Sequence, residues 1–296
     1  MKTRELLAAA TQQLSQAGVE TARVDAELLL AHVLRVGRGE LLLRDECSIG
    51  QAGEYRGLVS QRAMRVPLQH LTGRAAFRRI EIAVGPGVLI PRPETELVVE
   101  AALAFLKAWG VERPLIVDLC SGSAAMTASL ALEQPGADVV GLELDDAAFA
   151  WGMRTAADLA DDVRAVGSTL SLRQGDVRGC EGSPLADLVG RVDAVVSNPP
   201  YIPLAAVPRD PEVAAHEPAV ALYGGADGME FVGAVAAAAA ALLKPGGLLV
   251  VEHGDLQGED GEVSVPRTLR AHGSFKDVAD HLDLAGRPRY TTAVRA

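Results

Sequence analysis

The chain has 296 residues, 49% of them apolar, and 39 acidic against 28 basic side chains give it a formal charge of -11. Its length exceeds that of a usual single core and predicts about two domains, while no apolar run reaches the roughly 20 residues of a membrane-spanning helix. An acidic balance this strong disfavours a bare nucleic-acid partner, which is gripped largely by Lys and Arg on phosphates, and favours a protein partner.

At the front, Met1-Lys2-Thr3-Arg4-Glu5 meets an acid at once and lacks the small-residue cleavage site of a signal peptide, which predicts a cytoplasmic protein. Cys47, Cys120 and Cys180 are widely spaced with no CxxC pair, so they read as reduced thiols and not as a disulfide framework or a zinc knuckle. Residues 3 to about 70 read as helices. Leu6, Leu7, Ala10 and Leu14 fall at helical spacing, and after a break at Gly18 so do Ala26, Leu29, Leu30, Val33 and Leu34. A small helical bundle over residues 1–74, used for recognition or packing, is expected.

The pattern then alternates through Arg79-Ile80-Glu81-Ile82-Ala83-Val84 into Gly85-Pro86-Gly87, which predicts a hairpin or strand-turn linker over residues 75–92. The acidic excess is a net balance only, and a local basic patch such as Arg74, Arg78, Arg79 and Arg92 could still meet an anionic surface. From residue 93 a second domain runs to residue 296. Pro93 suits the first turn of a helix, and Glu94 and Glu96 complement its positive end, so a helix runs to about Lys107.

Beyond Gly110, short apolar runs alternate with helical segments: Leu115 to Leu119, Ser123 to Leu132, Ala137 to Leu142, Asp145 to Leu159, and Val192 to Ser197. That rhythm predicts an α/β fold with a doubly wound, Rossmann-like parallel sheet. Met229 to Leu243 reads as a helix, Lys244 to Gly247 as a turn, and Leu248 to Glu252 as a buried strand. Phe275 to Val278 and Arg289 to Val294 are expected to form an antiparallel edge.

Two stretches carry chemistry. Leu115 to Leu119 delivers Cys120-Ser121-Gly122-Ser123-Ala124, a small-residue turn opening a helix, where a ligand can touch the backbone and a carboxylate can meet free N–H groups. The full G-x-G-x-x-G spacing of a dinucleotide site is missing, so S-adenosylmethionine fits better than NAD. With Asp118 before that turn, Glu143 at the next strand end is placed to accept ribose hydroxyls, and Asp176 with Val177 to meet an adenine. The second stretch is Asn198-Pro199-Pro200-Tyr201, delivered by the buried run ending at Ser197. Two prolines fix φ and supply no N–H, leaving the Asn198 side-chain oxygen and the Pro199 carbonyl as acceptors for an NH2 group. Acceptors of this kind hold a planar nitrogen in line with a methyl donor and favour the positive charge that grows on it. Tyr201 adds a ring for the planar substrate and for a sulfonium cation, worth about 1 kcal/mol. His216 and His253 lie apart without metal-ligand spacing and read as structural, and no metal site is expected.

At these residues the chain resembles the peptide chain release factor N(5)-glutamine methyltransferases of the PrmC/HemK type. The likeness covers nearly the whole chain, through Pro67-Leu68-Gln69-His70-Leu71-Thr72-Gly73, Pro86 to Glu96 with its Pro91-Arg92-Pro93-Glu94-Thr95-Glu96 core, Ser197 to Pro203, and Glu217-Pro218 through Gly224-Gly225-Ala226-Asp227-Gly228. The resemblance implies a seven-stranded catalytic sheet and a helical domain that helps grip the release factor. It implies methyl transfer from S-adenosylmethionine to the glutamine of the release factor's GGQ motif. Asp118, the turn from Cys120 to Ala124, Glu143, Asp176, Val177 and Asn198 would contact the cofactor. Asn198 to Tyr201 would hold the glutamine amide, with Arg92 lining the same pocket.

One departure stands out, because Ala124, and often Cys120 too, take places where the family usually has glycine. If Ala124 needs a positive φ, strain of about 1–3 kcal/mol would weaken cofactor binding by about ten- to a hundredfold. Met126-Thr127 beside it also replaces the small apolar pair expected there. Two alternatives therefore stay open: an impaired homologue that only docks on release factors, for which Ala124 speaks, and a DNA adenine or other amino-group methyltransferase. The latter would share the Asn-Pro-Pro-Tyr loop but needs a basic target-recognition region that the chain lacks.

Overall fold

A computed structural model describes residues 1–179, 184–208 and 210–296, so Cys180 lies outside the described residues. The chain forms two compact units, Met1–Arg74 together with Pro208–His216, and Ala75–Val207 together with Glu217–Ala296.

The first unit contains α1 (Thr3–Gln16), α2 (Ala22–Leu34), α3 (Ile49–Ala63) and α4 (Leu68–Thr72). The helical spacing noted above turns Leu6, Leu7, Ala10 and Leu14 of α1 toward Ala26, Leu29 and Leu30 of α2, all buried. Ser48 starts α3 with a capping box, its hydroxyl accepting the Gln51 N–H at 3.2 Å while the Gln51 side chain accepts the Ser48 N–H at 3.0 Å. Tyr55 is fully buried here because its hydroxyl finds the Ala26 carbonyl at 3.0 Å.

The second unit begins one residue into β1 (Arg74–Phe77), which forms a two-stranded sheet with β2 (Ile80–Ala83). The hairpin turn falls on Arg78 and Arg79 and not on Gly85-Pro86-Gly87. Arg78 takes φ 50° with its N–H on Glu96 at 2.9 Å and its guanidinium on Glu133 and Glu100 at 2.6 and 2.8 Å. Acids thus hold a conformation that glycine would take more easily, and the Arg78 charge of the basic set is spent inside the fold.

A 3-10 turn, Pro93–Thr95, leads into α5 (Glu96–Trp109). There follow β3 (Leu115–Leu119), α6 (Ala125–Glu133), β4 (Asp138–Glu143), α7 (Asp146–Asp158), α8 (Ala160–Ala165), β5 (Thr169–Gln174) and β6 (Val192–Ser197). After β6 come α9 (Pro211–His216), α10 (Ala219–Leu222), α11 (Glu230–Leu242), β7 (Leu243–Glu252), α12 (Val265–His272), β8 (Phe275–Leu282) and β9 (Pro288–Arg295). The sheet has seven strands in the order β5-β4-β3-β6-β7-β9-β8; β5 through β7 are parallel and β9 runs antiparallel to both neighbours.

Alternation along each strand splits the core between two faces. Ile116, Val139, Ala194, Val196, Leu248 and Val250 pack on one side with α5 and α6, while Val117, Val140, Val195, Leu249 and Val251 pack on the other with α11 and α12. Each such side chain contributes about 1.5–3 kcal/mol on full burial. Lys244 to Gly247 is not a free turn: it lies within β7, where the register jumps from Val192↔Leu243 to Ala194↔Leu248 and Gly246 takes φ 85°. The extra residues are absorbed as an irregularity in the ladder. No helix among the described residues is long and apolar enough to cross a membrane.

Candidate active site

Strand order places the site. From β3 the sheet grows to β4 and β5 on one side and to β6 and β7 on the other, so the connections diverge where β3 and β6 lie together, the position at which open α/β sheets bind ligands. Leu119 and Ser197, the last residues of the two strands, are paired, and the Ser197 hydroxyl donates to the Leu119 carbonyl at 2.7 Å. The turn after β3 and the Asn198–Tyr201 loop therefore leave the sheet side by side. Beside them opens a solvent-connected cleft of about 660 Å³, walled by Cys120, Gly122, Leu142, Glu143, Asp145, Asp176, Val177, Asn198, Pro200, Pro218, Ala221 and Phe231 among others.

In the turn after β3, Cys120, Gly122 and Ala124 all have positive φ, of 64°, 56° and 64°. Ala124 is buried and serves as the residue before α6, its N–H on the Ser121 carbonyl and its carbonyl accepting the Ala128 N–H, both at 2.9 Å. Glu143 fixes this turn to the end of β4. One carboxylate oxygen accepts the Gly122 N–H at 2.7 Å, and the other accepts the N–H groups of Leu144 and Asp145 at 2.8 Å each. Burial raises the Glu143 pKa and the backbone donors oppose it. A carboxylate has about four acceptor positions, so capacity remains on the cleft side.

Asp118 does not line the cleft. It is fully buried on the opposite face of β3 from Val117 and Leu119, and Thr127 donates to it at 2.7 Å. Burial pushes its pKa up to about 7, with the Thr127 bonds pulling the other way. Thr127, out of place in an apolar pair, is thus the partner of a buried acid. Ser121, Ser123 and Ala124 stand behind the wall, whereas Cys120 is in it, its thiol pKa raised by burial and by the charges of Glu143 and Asp118. Asp176 and Val177 line the cleft, but the Asp176 carboxylate is engaged by the Arg178 side chain, which holds its pKa low. Arg178 also reaches Glu230 at 2.6 Å and lies 4.7 Å over the Phe231 ring.

Around the second loop, Asn198 is half-buried and Pro199 and Pro200 are buried. The Asn198 Nδ2 donates to the Thr95 hydroxyl at 3.1 Å, and the Tyr201 hydroxyl donates to Glu252 at 3.3 Å. Burial raises the Glu252 pKa to about 7 against the Thr95 and Tyr201 hydroxyls and the charge of Arg289. The segment Gly224 to Gly228 braces the loop from outside: Ile202 donates to the Leu222 carbonyl and Gly224 to the Ile202 carbonyl, both at 2.9 Å. A Cβ on Gly224 would stand 2.3 Å from the Pro200 oxygen, and one on Gly228 only 2.2 Å from the Tyr201 oxygen. Gln257 donates to that Tyr201 carbonyl at 3.0 Å.

Arg92 is outside the cleft wall, its guanidinium 2.6 Å from both oxygens of Glu217, the residue before Pro218 and α10. The pair ties the Arg92 loop to the segment whose Pro218, Val220 and Ala221 form one wall. With Arg78 also paired, the basic set presents no common cationic surface. His253 is buried between Asp280 at 3.1 Å and the Gly254 carbonyl at 2.9 Å. No group of metal-ligating side chains occurs among the described residues. Sequence reasoning missed Thr95 and Gln257. Thr95 sits inside the Pro91–Glu96 block, a signal that existed; nothing local marks Gln257.

Residues 5–73 match the PrmC N-terminal domain family. The release factor glutamine methyltransferase of Streptomyces coelicolor is 44% identical over 291 residues, spanning 98% of this chain and 97% of its own length. That of Mycolicibacterium smegmatis is 43% identical over 302 residues, covering 99% and 98%. The protein of the same name from Deinococcus radiodurans is 38% identical over 299 residues, covering 100% and 99%.

Proposed function

Because the chain belongs to the release factor glutamine methyltransferases, we propose that it methylates the side-chain amide nitrogen of the glutamine in the GGQ motif of peptide chain release factors, with S-adenosylmethionine as methyl donor. The observation that carries this reading is that Asn198 and Pro200 stand in the wall of the same cleft as Gly122 and Glu143. One cleft thus combines a site for the donor with acceptors for an amide.

The residues present suit the donor. Leu142, Val177, Ala221 and Phe231 offer apolar walls, and Glu143 and Asp145 favour a cationic ligand. Glu143 and the Cys120–Gly122 turn would hold the nucleoside and amino-acid ends. Once bound, S-adenosylmethionine supplies an electrophilic methyl group.

The chain's own part is placement and polarisation. An amide nitrogen is a poor nucleophile because its lone pair is delocalised into the carbonyl. The Asn198 Oδ1 and the Pro199 carbonyl each accept one N–H of the glutamine amide, which turns the remaining density of the nitrogen toward the cleft and favours the charge that develops there. Pro200 fixes the loop, and the Tyr201 ring, anchored through its hydroxyl on Glu252, lies against the planar amide. Arg92 acts through Glu217 to hold the Pro218–Ala221 wall rather than by touching the amide. The helical unit grips the release factor.

The test is to incubate the protein with labelled S-adenosylmethionine and a folded, unmethylated release factor, and to map the methyl group by mass spectrometry. A methyl on the GGQ glutamine that disappears with Asn198→Ala is expected. A folded release factor left unmethylated by the wild-type protein would sink the assignment.

A further inference from the structure

An asparagine side chain carries a carbonyl on one side and an NH2 on the other, and a half-turn about its last bond exchanges them. Only one orientation of Asn198 offers an acceptor to a substrate NH2; the other sets donor against donor. Asn198 itself does not choose between them.

The choice is made behind the loop. Thr95 is 4% exposed, and its hydroxyl accepts the Asn198 Nδ2 at 3.1 Å, which leaves the Asn198 oxygen as the free end of the amide. A hydroxyl can donate as well as accept, so Thr95 holds this orientation only while its own proton points elsewhere. Glu252, 1% exposed, faces that hydroxyl. Its Oε1 takes the Tyr201 hydroxyl at 3.3 Å, and its Oε2 has no hydrogen-bond partner among the described residues. In its ionised form, which predominates above about pH 7, the carboxylate only accepts, so it leaves the Thr95 oxygen open to the Asn198 NH2.

We infer that Thr95 is a positioning residue that fixes the Asn198 amide with its oxygen toward the substrate. The inference rests on the reading that Asn198 holds the substrate amide.

The sequence supplies an unusually clean probe, since Asn198 is the only asparagine in the 296 residues. Protein made with asparagine labelled with 15N in the side-chain amide yields one NH2 signal pair. In the wild type one of its two hydrogens exchanges slowly with solvent. Thr95→Val, nearly isosteric, speeds that exchange by about tenfold, corresponding to loss of a net hydrogen bond of about 1.4 kcal/mol, and Thr95→Ser restores protection. In parallel, Thr95→Val lowers kcat for release-factor methylation by about ten- to a hundredfold, with cofactor affinity unchanged and with recovery in Thr95→Ser.

Unchanged amide exchange in folded Thr95→Val would overturn the inference, as would full activity of that variant beside an inactive Asn198→Ala. Rapid exchange of both hydrogens in the wild type would overturn it whatever the variants do. If the wild type leaves the release factor unmethylated, the reaction assigned above fails, and the exchange comparison still decides whether Thr95 sets the amide.

Discussion

Ala124 has φ 64° and ψ 28°, a left-handed conformation that an L-residue with a Cβ reaches at a cost of about 1–2 kcal/mol. Cys120, four residues before it, has the same φ. Two residues of the turn beside the cleft are therefore strained, and Glu143 on the Gly122 N–H helps to hold the turn in shape. Glycine at a positive φ is favoured over alanine by about 1 kcal/mol once chain entropy is included. Ala124→Gly should accordingly raise the melting temperature by about 2–4 °C and tighten binding of the demethylated donor by up to about tenfold in calorimetry. Unchanged melting and affinity would mean that the turn is at ease with alanine. The missing glycine was legible in the sequence, but the sign of φ was not. Asn198 and Glu143 were legible because they are polar groups at the ends of buried strands, where side chains meet ligands. Asp118 also closes such a strand, yet the alternation of side chains turns it under the cleft to Thr127. Thr95 was not legible as a partner because it meets Asn198 across 103 residues of sequence.

The α/β rhythm of the second unit could be read from short apolar runs because the central strands β3, β4, β6 and the end of β7 bury both of their faces. Irregular elements could not. The Lys244–Gly247 segment has the composition of a turn and is held inside β7 by pairing on either side of it. The signals for α12 were present and overlooked: Ser264 caps it by accepting the Arg267 N–H at 3.3 Å, and Gly273 ends it at φ 76°. The role of Gly224 to Gly228 emerges only from proximity to another loop. Because a Cβ on Gly228 would meet the Tyr201 oxygen at 2.2 Å and its φ is 80°, Gly228→Ala must push the Asn198–Tyr201 loop aside. We expect it to lower methylation at least about tenfold and stability by about 1–3 kcal/mol, measured by methyl transfer and denaturant unfolding of the same preparation. Wild-type turnover in this variant would show that the brace does not set the geometry of the loop.

For the molecule as a whole, two buried acids shape the response to pH. Asp118 and Glu252 are raised to about 7 from ordinary values of 3.8 and 4.5, so between those limits the folded chain keeps protons that the unfolded chain has released. Their contribution is therefore full below about pH 4 and is lost as pH rises to about 7, on the order of 3 kcal/mol for each group. Thr127 and Glu143 face Asp118; Thr95, Tyr201, Arg289 and Glu94 face Glu252. His253, kept neutral by burial, acts in the opposite direction up to about pH 6.5, so the informative quantity is the difference between proteins. Denaturant unfolding from pH 5 to 8 should show wild-type stability falling relative to an Asp118→Asn, Glu252→Gln double variant, and parallel curves would count against the raised values. A final consequence concerns inheritance. The first unit takes Pro208–His216 from deep in the chain, and Arg62 sits between Asp25 at 2.6 Å and Glu212 at 2.8 Å. A gene cut after Arg74 thus does not yield the whole unit, and a crossover that replaces the front of the coding sequence leaves behind the exon-sized remnant that carries Glu212. Because the two side chains hold one ion pair, substitutions at Arg62 and Glu212 are expected to travel together among relatives although 150 residues separate them.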